Sequence, residues 1–284
     1  MIKFSVVIPT YHRNDLLAKC LDRLDPNVQT LATDQYEVIV SDDGHEFTAE
    51  DMIRQNYPWV KWVAGLRKGP AANRNNGAKY AQGEWLAFTD DDCIPDAQWL
   101  AAYAESIKGT ALALEGAIHP LGDLEQDFAE CPVNLTGGCF WSANIAVARL
   151  LFDKVGGFDP NYPLAAHEDQ DLKLRLEPIT NVLFVSDAIV FHPIRFISFN
   201  NFLKQQPKRC YAFAYHARKN QNILGYKNAL QLLISQYKFH LISLKQNVLT
   251  KNRCYKSILS IYMLLIGIPL ILLFFIISHQ TSKR

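Results

Sequence analysis

No aspartate or glutamate occurs after Asp187 in this 284-residue chain. Residues 188–284 hold 14 Lys/Arg and no acid, a net of +14, whereas residues 1–187 hold 15 Lys/Arg against all 28 acids, a net of −13. The overall charge of +1 therefore hides two segments of opposite sign. A long basic block without acids points to a polyanionic surface as its partner. CxxC pairs are also missing, for Cys20, Cys93, Cys131, Cys139, Cys210 and Cys254 are scattered. That spacing excludes a structural zinc site and a disulfide framework, and it fits a reducing compartment. Internal repeats and low-complexity linkers are absent. Lys3 and Phe4 lead straight into a strand-like run, with no leader pattern before it.

One long uncharged run is present. Ser257 to Ser278 contains 22 residues without a charge. At 1.5 Å per residue, such a helix covers about 30 Å, the depth of a bilayer core. Lys245, Lys251, Arg253 and Lys256 precede it, and only Lys283 and Arg284 follow. That excess puts the bulk of the chain in the cytoplasm, so the expectation is a cell-membrane protein with a single carboxy-terminal span. Gly267 and Pro269 interrupt the run and leave a kinked span and a re-entrant or interfacial hairpin both open. A buried core helix is the bland alternative. Phe196–Lys219 and Tyr226–Lys245 mix Lys/Arg with Phe, Tyr and Leu, as interfacial helices on an anionic cytoplasmic leaflet do. The membrane run makes nucleic acid a poor partner for this block. The organisation read from these features is a first domain over 1–192, a basic helical region over 193–256 and a membrane segment over 257–278.

The first half alternates strand and helix signals. Strands are expected at Phe4–Ile8, Tyr36–Val40, Val60–Val63 and Trp85–Phe88, and helices at Asp15–Leu24, Ala49–Asn56, Pro70–Ala81 and Asp96–Lys108. This βα alternation predicts a parallel sheet with helices on both faces. Ligands of such sheets sit at the carboxyl ends of the strands. Three of those ends carry polar punctuation: Pro9-Thr10-Tyr11, Asp42-Asp43-Gly44 and Asp90-Asp91-Asp92. The second half is less regular, with strands expected at Leu112–Ile118, Val182–Val185 and Ala188–Phe191 and a helix from Asp169 to Leu176.

The triplet Asp90-Asp91-Asp92 follows a buried run. Three adjacent carboxylates there repel one another unless a cation or polar ligand neutralises them. Hard divalent ions take such oxygen donors together with substrate phosphates. Taken alone, the triplet is equally well an acidic turn, with Asp96 capping the next helix.

In order along the chain stand Val6-Val7-Ile8-Pro9-Thr10-Tyr11, Val38-Ile39-Val40-Ser41-Asp42-Asp43-Gly44, Gly69 to Gly77, Phe88-Thr89-Asp90-Asp91-Asp92, Ser142-Ala143-Asn144, Gly156-Gly157-Phe158-Asp159 and Glu168-Asp169-Gln170-Asp171-Leu172. This series resembles the family 2 inverting glycosyltransferases of GT-A fold, of the membrane-anchored type that builds bacterial cell-surface polysaccharide or glycolipid. The resemblance runs from about residue 3 to 192, two thirds of the chain. It implies an α/β, Rossmann-like nucleotide-diphospho-sugar transferase fold, followed here by the basic helices and one transmembrane helix.

The resemblance also implies roles. Pro9, Thr10, Tyr11 and Arg13, with Asp43 and Asp42, would hold the nucleobase and ribose, a carboxylate being suited to accept an N–H of a base edge. Arg74, at a helix start, would meet the nucleotide or its phosphates. Asp90 and Asp92 would form the DxD pair, Asp90 toward the ribose and Asp92 toward Mn²⁺ or Mg²⁺. Asp91 belongs to the nucleotide-sugar set by position, although side-chain alternation turns it elsewhere. His192 would add an imidazole to the metal, or serve structure alone. Asp169 would be the general base, with Glu168 orienting it or acting as base itself. The donor would be a nucleotide-diphosphate sugar, the acceptor a glycan or polyprenyl-linked hydroxyl, and the outcome transfer with inversion.

One departure narrows the reading. Processive members carry a QxxRW element, and Gln206-Pro207-Lys208-Arg209-Cys210 has Cys where Trp belongs. Transfer of one or a few sugars is therefore expected. A nucleotidyltransferase is a second reading, weakened because Pro9 to Arg13 stands where a Gly-rich loop with Lys is needed. A catalytically inactive membrane scaffold of the same fold is a third, opposed by the intact Asp90, Asp92 and Asp169.

Overall fold

The structure is a computed structural model and describes residues 1–107, 109–124, 129–162, 164–226, 228–249 and 254–281. The expected helix end at Lys108 and the flanking charges Lys251, Arg253, Lys283 and Arg284 lie outside the described residues. The chain divides into two compact units. The first comprises Met1–Asp123, Cys131–Asn161 and Glu168–Ile194. The second comprises Leu124–Glu130, Tyr162–His167 and Arg195–Arg284.

The first unit is built on strands β1 (Phe4–Thr10), β2 (Tyr36–Asp42), β3 (Val60–Ala64), β4 (Trp85–Phe88), β5 (Ile94–Pro95) and β6 (Ala113–Leu121). After β7 (Ala129–Glu130), which belongs to the second unit, come β8 (Ile145–Ala148) and β9 (Val182–Pro193). Their order in the sheet is β3-β2-β1-β4-β8-β6-β9-β5. β1 is buried along its whole length. Phe4, Val6 and Ile8 enter the core on one face, while Val7 enters the other with Leu86 and Phe88. A strand covered on both faces reads as a continuous apolar run, which is why Val6-Val7-Ile8 lacks alternation.

The parallel sheet expected from the first half is present in strands β1 to β4. β3, β2, β1 and β4 are parallel, but β8 pairs antiparallel with both β4 and β6. Turn chemistry at Thr136–Cys139 reverses the chain before β8, and among the described residues no crossover helix stands between β6 and β8. The two strands expected at Val182–Val185 and Ala188–Phe191 are one strand, whose pairing with β6 shifts register between Gly116 and Ala117. A bulge of this kind absorbs the polar Ser186-Asp187 without ending the strand.

The helices of the first unit are α1 (Asn14–Leu24), α2 (Glu50–Asn56), α3 (Pro70–Ala78), α4 (Trp99–Ser106), α5 (Arg149–Lys154) and α6 (Glu168–Leu176). α4 starts three residues later than the sequence predicts, because the Asp96 carboxylate accepts from Gln98 N (2.9 Å) in a turn ahead of the helix rather than capping it. The second unit holds β7 paired with β10 (Arg195–Phe196). Its helices are α7 (Phe199–Lys219), α8 (Ala229–Leu249), α9 (Cys254–Tyr262) and α10 (Ile268–Thr281). A π-helical stretch, Met263–Gly267, joins α9 to α10. Pro269 supplies no N–H to the preceding turn, and a widened turn next to it is the usual local remedy. Ile258–Ile276 is long and apolar enough to cross a membrane by length and composition.

Candidate active site

The carboxyl ends of β1, β2 and β4 lie side by side, with Thr10 opposite Asp42 in register. What the sequence presents as three separate polar turns is therefore one edge. Asn73, in the first turns of α3, stitches that edge together. Its Nδ2 donates to Ser41 O (2.7 Å) and Thr10 O (3.3 Å), and its Oδ1 accepts from Ser41 Oγ (2.6 Å). Sequence reading took this stretch only as small residues at a helix start. The available signal was an Asn inside an apolar turn, a residue that is costly to bury without partners.

Asp42 is turned inward. Its Oδ1 accepts from Gly44 N (2.8 Å), and its Oδ2 from Ala49 N (2.6 Å) and Trp62 Nε1 (3.3 Å). It organises the loop after β2, as an ordinary Asx turn would. Asp43 accepts from Arg67 N (2.9 Å) and Gly69 N (3.0 Å), and so holds the loop that enters α3. Gly69 has φ of +87°, a conformation a side chain would strain. Tyr11 is exposed beside this edge, and Pro9 lies within β1.

The acidic triplet splits as alternation predicts. Asp91 is fully buried and points back toward β1. Thr10 Oγ1 donates to its Oδ2 (2.7 Å), Arg13 Nε donates to the same oxygen (3.1 Å), and a second Arg13 nitrogen pairs with Oδ1. Burial pushes the Asp91 carboxyl up to about 6, against the pull of Arg13 and Thr10. Asp91 and Arg13 thus hold each other, and Arg13 also reaches Asp92 Oδ2 (3.1 Å). Both were expected on the nucleotide; within the described residues their partners are one another.

Asp90, Asp92, Cys93 and His192 bring one ligand atom each to within 4.8 Å of one another. His192 Nδ1 lies 2.8 Å from Pro193 O. A carbonyl only accepts, so Nδ1 donates to it and Nε2 is left to face the carboxylates. That nitrogen is 3.6 Å from Asp92 Oδ1. Orientation of an imidazole by a carbonyl on its far nitrogen is a common arrangement at metal sites. Burial, then the neighbouring carboxylates, push the Cys93 thiol well up, so it stays protonated and ill-suited to a hard cation. Two carboxylates and one imidazole remain, a donor set that fits Mn²⁺ or Mg²⁺.

Arg74 does not face open space, as a phosphate contact at a helix start would. Its buried guanidinium spans two acids: Nη2 bonds Asp90 Oδ1 (2.6 Å) and Nη1 bonds Glu168 Oε1 (3.0 Å). Burial opposes the charges on both Arg74 and Asp90. Their mutual attraction overcomes it, holding the Asp90 carboxyl below its ordinary range and the guanidinium above its own. Phe158 packs under the cation, 5.5 Å from Arg74 Cζ, and is held by Asn75, whose amide bonds both Phe158 O (2.7 Å) and Phe158 N (2.9 Å). A Cβ on Gly157, at φ of +66°, would come 2.6 Å from that Asn75 oxygen. The Gly156-Gly157-Phe158 turn thus acts as a prop for Arg74, a link invisible in sequence because 83 residues separate the partners.

Glu168 and Asp169 differ in surroundings. Glu168 is buried on Arg74, and burial together with the neighbouring Asp169 pushes its carboxyl up to about 7, against Arg74. Asp169 is half-buried at the start of α6. Burial raises its carboxyl too, while bonds from Ser142 N (3.2 Å) and Gln170 N (2.8 Å) pull the other way. Each Asp169 oxygen keeps accepting capacity beyond that one bond. Glu115, which the sequence reading did not single out, is buried and gathers Asn134 Nδ2, Gly138 N and Phe140 N (3.0, 2.5 and 2.7 Å), fixing the loop that leads to Ser142. In the second unit, Gln206 Nε2 bonds Phe202 O within α7, and Arg209 makes a two-pronged pair with Glu130.

Comparison with known proteins agrees with this architecture. Residues 5–118 match the model of the Glycosyl transferase family 2. The chain is 28% identical over 217 residues to glycosyltransferase AglE of Haloferax volcanii, covering 71% of this chain and 70% of AglE. It is 29% identical over 215 residues to validoxylamine A glucosyltransferase of Streptomyces hygroscopicus subsp. limoneus, covering 61% of this chain but only about half (47%) of that enzyme. Among solved structures, mannosyltransferase PcManGT from Pyrobaculum calidifontis, in complex with GDP-Man and Mn²⁺, superposes with a TM-score of 0.56 at 18% identity. That match covers 78% of this chain and 64% of PcManGT. A sheet of this order, with its acidic strand ends gathered on one edge, is that of a GT-A fold, and residues 5–118 within it match the Glycosyl transferase family 2.

Proposed function

We propose that the protein transfers a sugar from a nucleotide-diphosphate donor to a hydroxyl of a glycan or polyprenyl-linked acceptor, with inversion at the anomeric carbon. The observation that carries the reading is the Asp90–Arg74–Glu168 bridge. It sets a two-carboxylate, one-imidazole cluster and the Glu168-Asp169 pair on either side of one guanidinium.

In this reading Asp90, Asp92 and His192 hold a divalent cation, Mn²⁺ or Mg²⁺. The cation, when bound, neutralises the departing diphosphate. Tyr11 and the edge around Asp43 receive the nucleoside. Asp169 takes the proton of the acceptor hydroxyl as the new glycosidic bond forms and the bond to the diphosphate breaks. Its raised carboxyl favours this, because a base works best when its pKa approaches the operating pH. Glu168 is the positioning residue, since Arg74 already engages it. The altered Gln206–Cys210 element agrees with transfer of one or a few sugars. The apolar Ile258–Ile276 helix and the acid-free basic segment support association with the anionic cytoplasmic leaflet, with the catalytic unit on the cytoplasmic side.

The test is transfer from radiolabelled UDP- and GDP-sugars to lipid-extracted acceptors with Mn²⁺, and the anomeric configuration of the product by NMR. Retained configuration overturns the single-displacement mechanism. An Asp169→Asn protein with full activity overturns the base assignment.

A further inference from the structure

We infer that the apolar Ile258–Ile276 helix does not stand across the bilayer but lies in one leaflet, as the lipid-facing layer of a helical unit bound to an anionic membrane surface. The inference rests on the membrane association proposed above and specifies its geometry.

The first observation is what packs on this helix inside the second unit. Its buried side, Gly267, Ile271 and Phe275, meets α7 at Cys210, Ala214 and Ala217. A Cβ on Gly267 would come 3.6 Å from Cys210 Sγ, an ordinary contact distance that sets the two residues side by side. Farther along, Tyr211 and Phe274 stack edge to face at 5.3 Å, and the Arg218 guanidinium sits 5.2 Å from the Phe275 ring. Residues 210–218 of α7 therefore run beside residues 267–275.

The second observation is what α7 carries. Lys204, Lys208 and Lys219 are exposed on it, and Lys208 and Arg209 adjoin Cys210. In an upright span, Gly267 would sit near mid-depth, and Lys208 and Arg209, which adjoin its neighbour Cys210, would be drawn into hydrocarbon beside it. Cations at that depth are costly and rare. Lying flat, the same unit keeps α7 on the water side and removes the conflict.

The third observation is the face left over. Ile258, Ile261, Leu265, Ile266, Leu273 and Ile276 are all exposed and form one stripe along the helix. On α8, Leu230, Ile234 and Leu241 are exposed in line, flanked by exposed Lys238 and Lys245. An apolar stripe edged by lysines is the pattern of a helix lying in the interface, where the ammonium groups snorkel to the headgroups. The occupant is an anionic bilayer, because the segment from residue 188 onward has 14 Lys/Arg and no acid to repel it.

The test uses the full chain with Ile258→Trp, Leu265→Trp or Ile276→Trp, reconstituted into vesicles of mixed zwitterionic and anionic phospholipid. Bromine is placed either near the headgroups or near the chain ends. The native tryptophans all lie in the first unit, so the parent protein gives the background. A flat helix predicts that all three positions are quenched within about twofold of one another, and mainly by the shallow bromines. Leu265→Trp quenched chiefly by deep bromines, with the two ends quenched by shallow ones, shows a span and overturns this inference alone. No quenching at any position, with the stripe buried instead in a dimer by sedimentation, overturns the membrane association as well. Lys238→Glu/Lys245→Glu should weaken binding to anionic vesicles about tenfold while leaving binding to neutral vesicles unchanged; equal binding of both proteins to anionic vesicles overturns the electrostatic part.

Discussion

Replacing Glu168 by Gln should reveal the strain stored at the Arg74 bridge. Glu168 is buried, and its carboxyl lies at about 7 rather than 4.5. Raising a pKa by that amount in the folded state is worth about 3 kcal/mol, since each pH unit of difference is about 1.4 kcal/mol. The sign follows from proton binding. Below about pH 4.5 the group is protonated in both states and costs nothing. Between about 4.5 and 7 only the folded state holds the proton, so stability falls as pH rises. Above about 7 the loss is complete. Gln keeps the shape and one acceptor toward Arg74 but cannot titrate. Arg74 stays protonated throughout and adds only a constant offset, while Asp169, relieved of a neighbouring charge, moves the difference in the same direction. The stability of Glu168→Gln minus that of the parent should therefore climb by about 3 kcal/mol between pH 5 and pH 8. Urea unfolding followed by tryptophan fluorescence measures this, because Trp59, Trp62, Trp85, Trp99 and Trp141 all report on the first unit. Parallel stability–pH curves, agreeing to within about 1 kcal/mol, would refute the argument that burial outweighs Arg74 at this carboxyl.

Three further outcomes are expected. Asp169→Asn should lower transfer by about a hundredfold or more while Mn²⁺-dependent nucleotide affinity, read by calorimetry, stays within about twofold, as removal of a general base alone requires. His192→Ala should weaken Mn²⁺ binding by about tenfold or more with the fold intact by circular dichroism; unchanged affinity removes His192 from the donor set. Thr10→Val, which deletes the buried bond to Asp91 at constant shape, should cost about 1–3 kcal/mol in the same urea assay.

Much of the architecture was legible in the chain because its signals are local. Val6-Val7-Ile8 and Trp85–Phe88 read as strands from their apolar runs, and the polar residues after them marked the edge on which the acidic strand ends gather. What escaped was pairing between distant segments. Apolar alternation cannot say whether β8 joins its neighbours parallel or antiparallel, nor that one bulged strand runs through Ser186-Asp187. A motif also does not disclose which of its acids are already engaged. Asp42 and Asp43 look alike in sequence, yet one serves its own loop and the other clamps the loop into α3.

The order of motifs by itself pointed to the family, and the charge asymmetry with the apolar run set the carboxy-terminal part apart from the rest. Both are properties of composition and spacing, which need no contacts to be read. Tertiary structure alone decided that Arg74 ties Asp90 to Glu168, that Phe158 props it, and that Asp91 turns away to Thr10 and Arg13. These depend on which side chains converge across 94, 83 and 81 positions of chain. Buried charge is tolerated only where a partner stands at hydrogen-bonding distance, and that distance exists only once the sheet has formed.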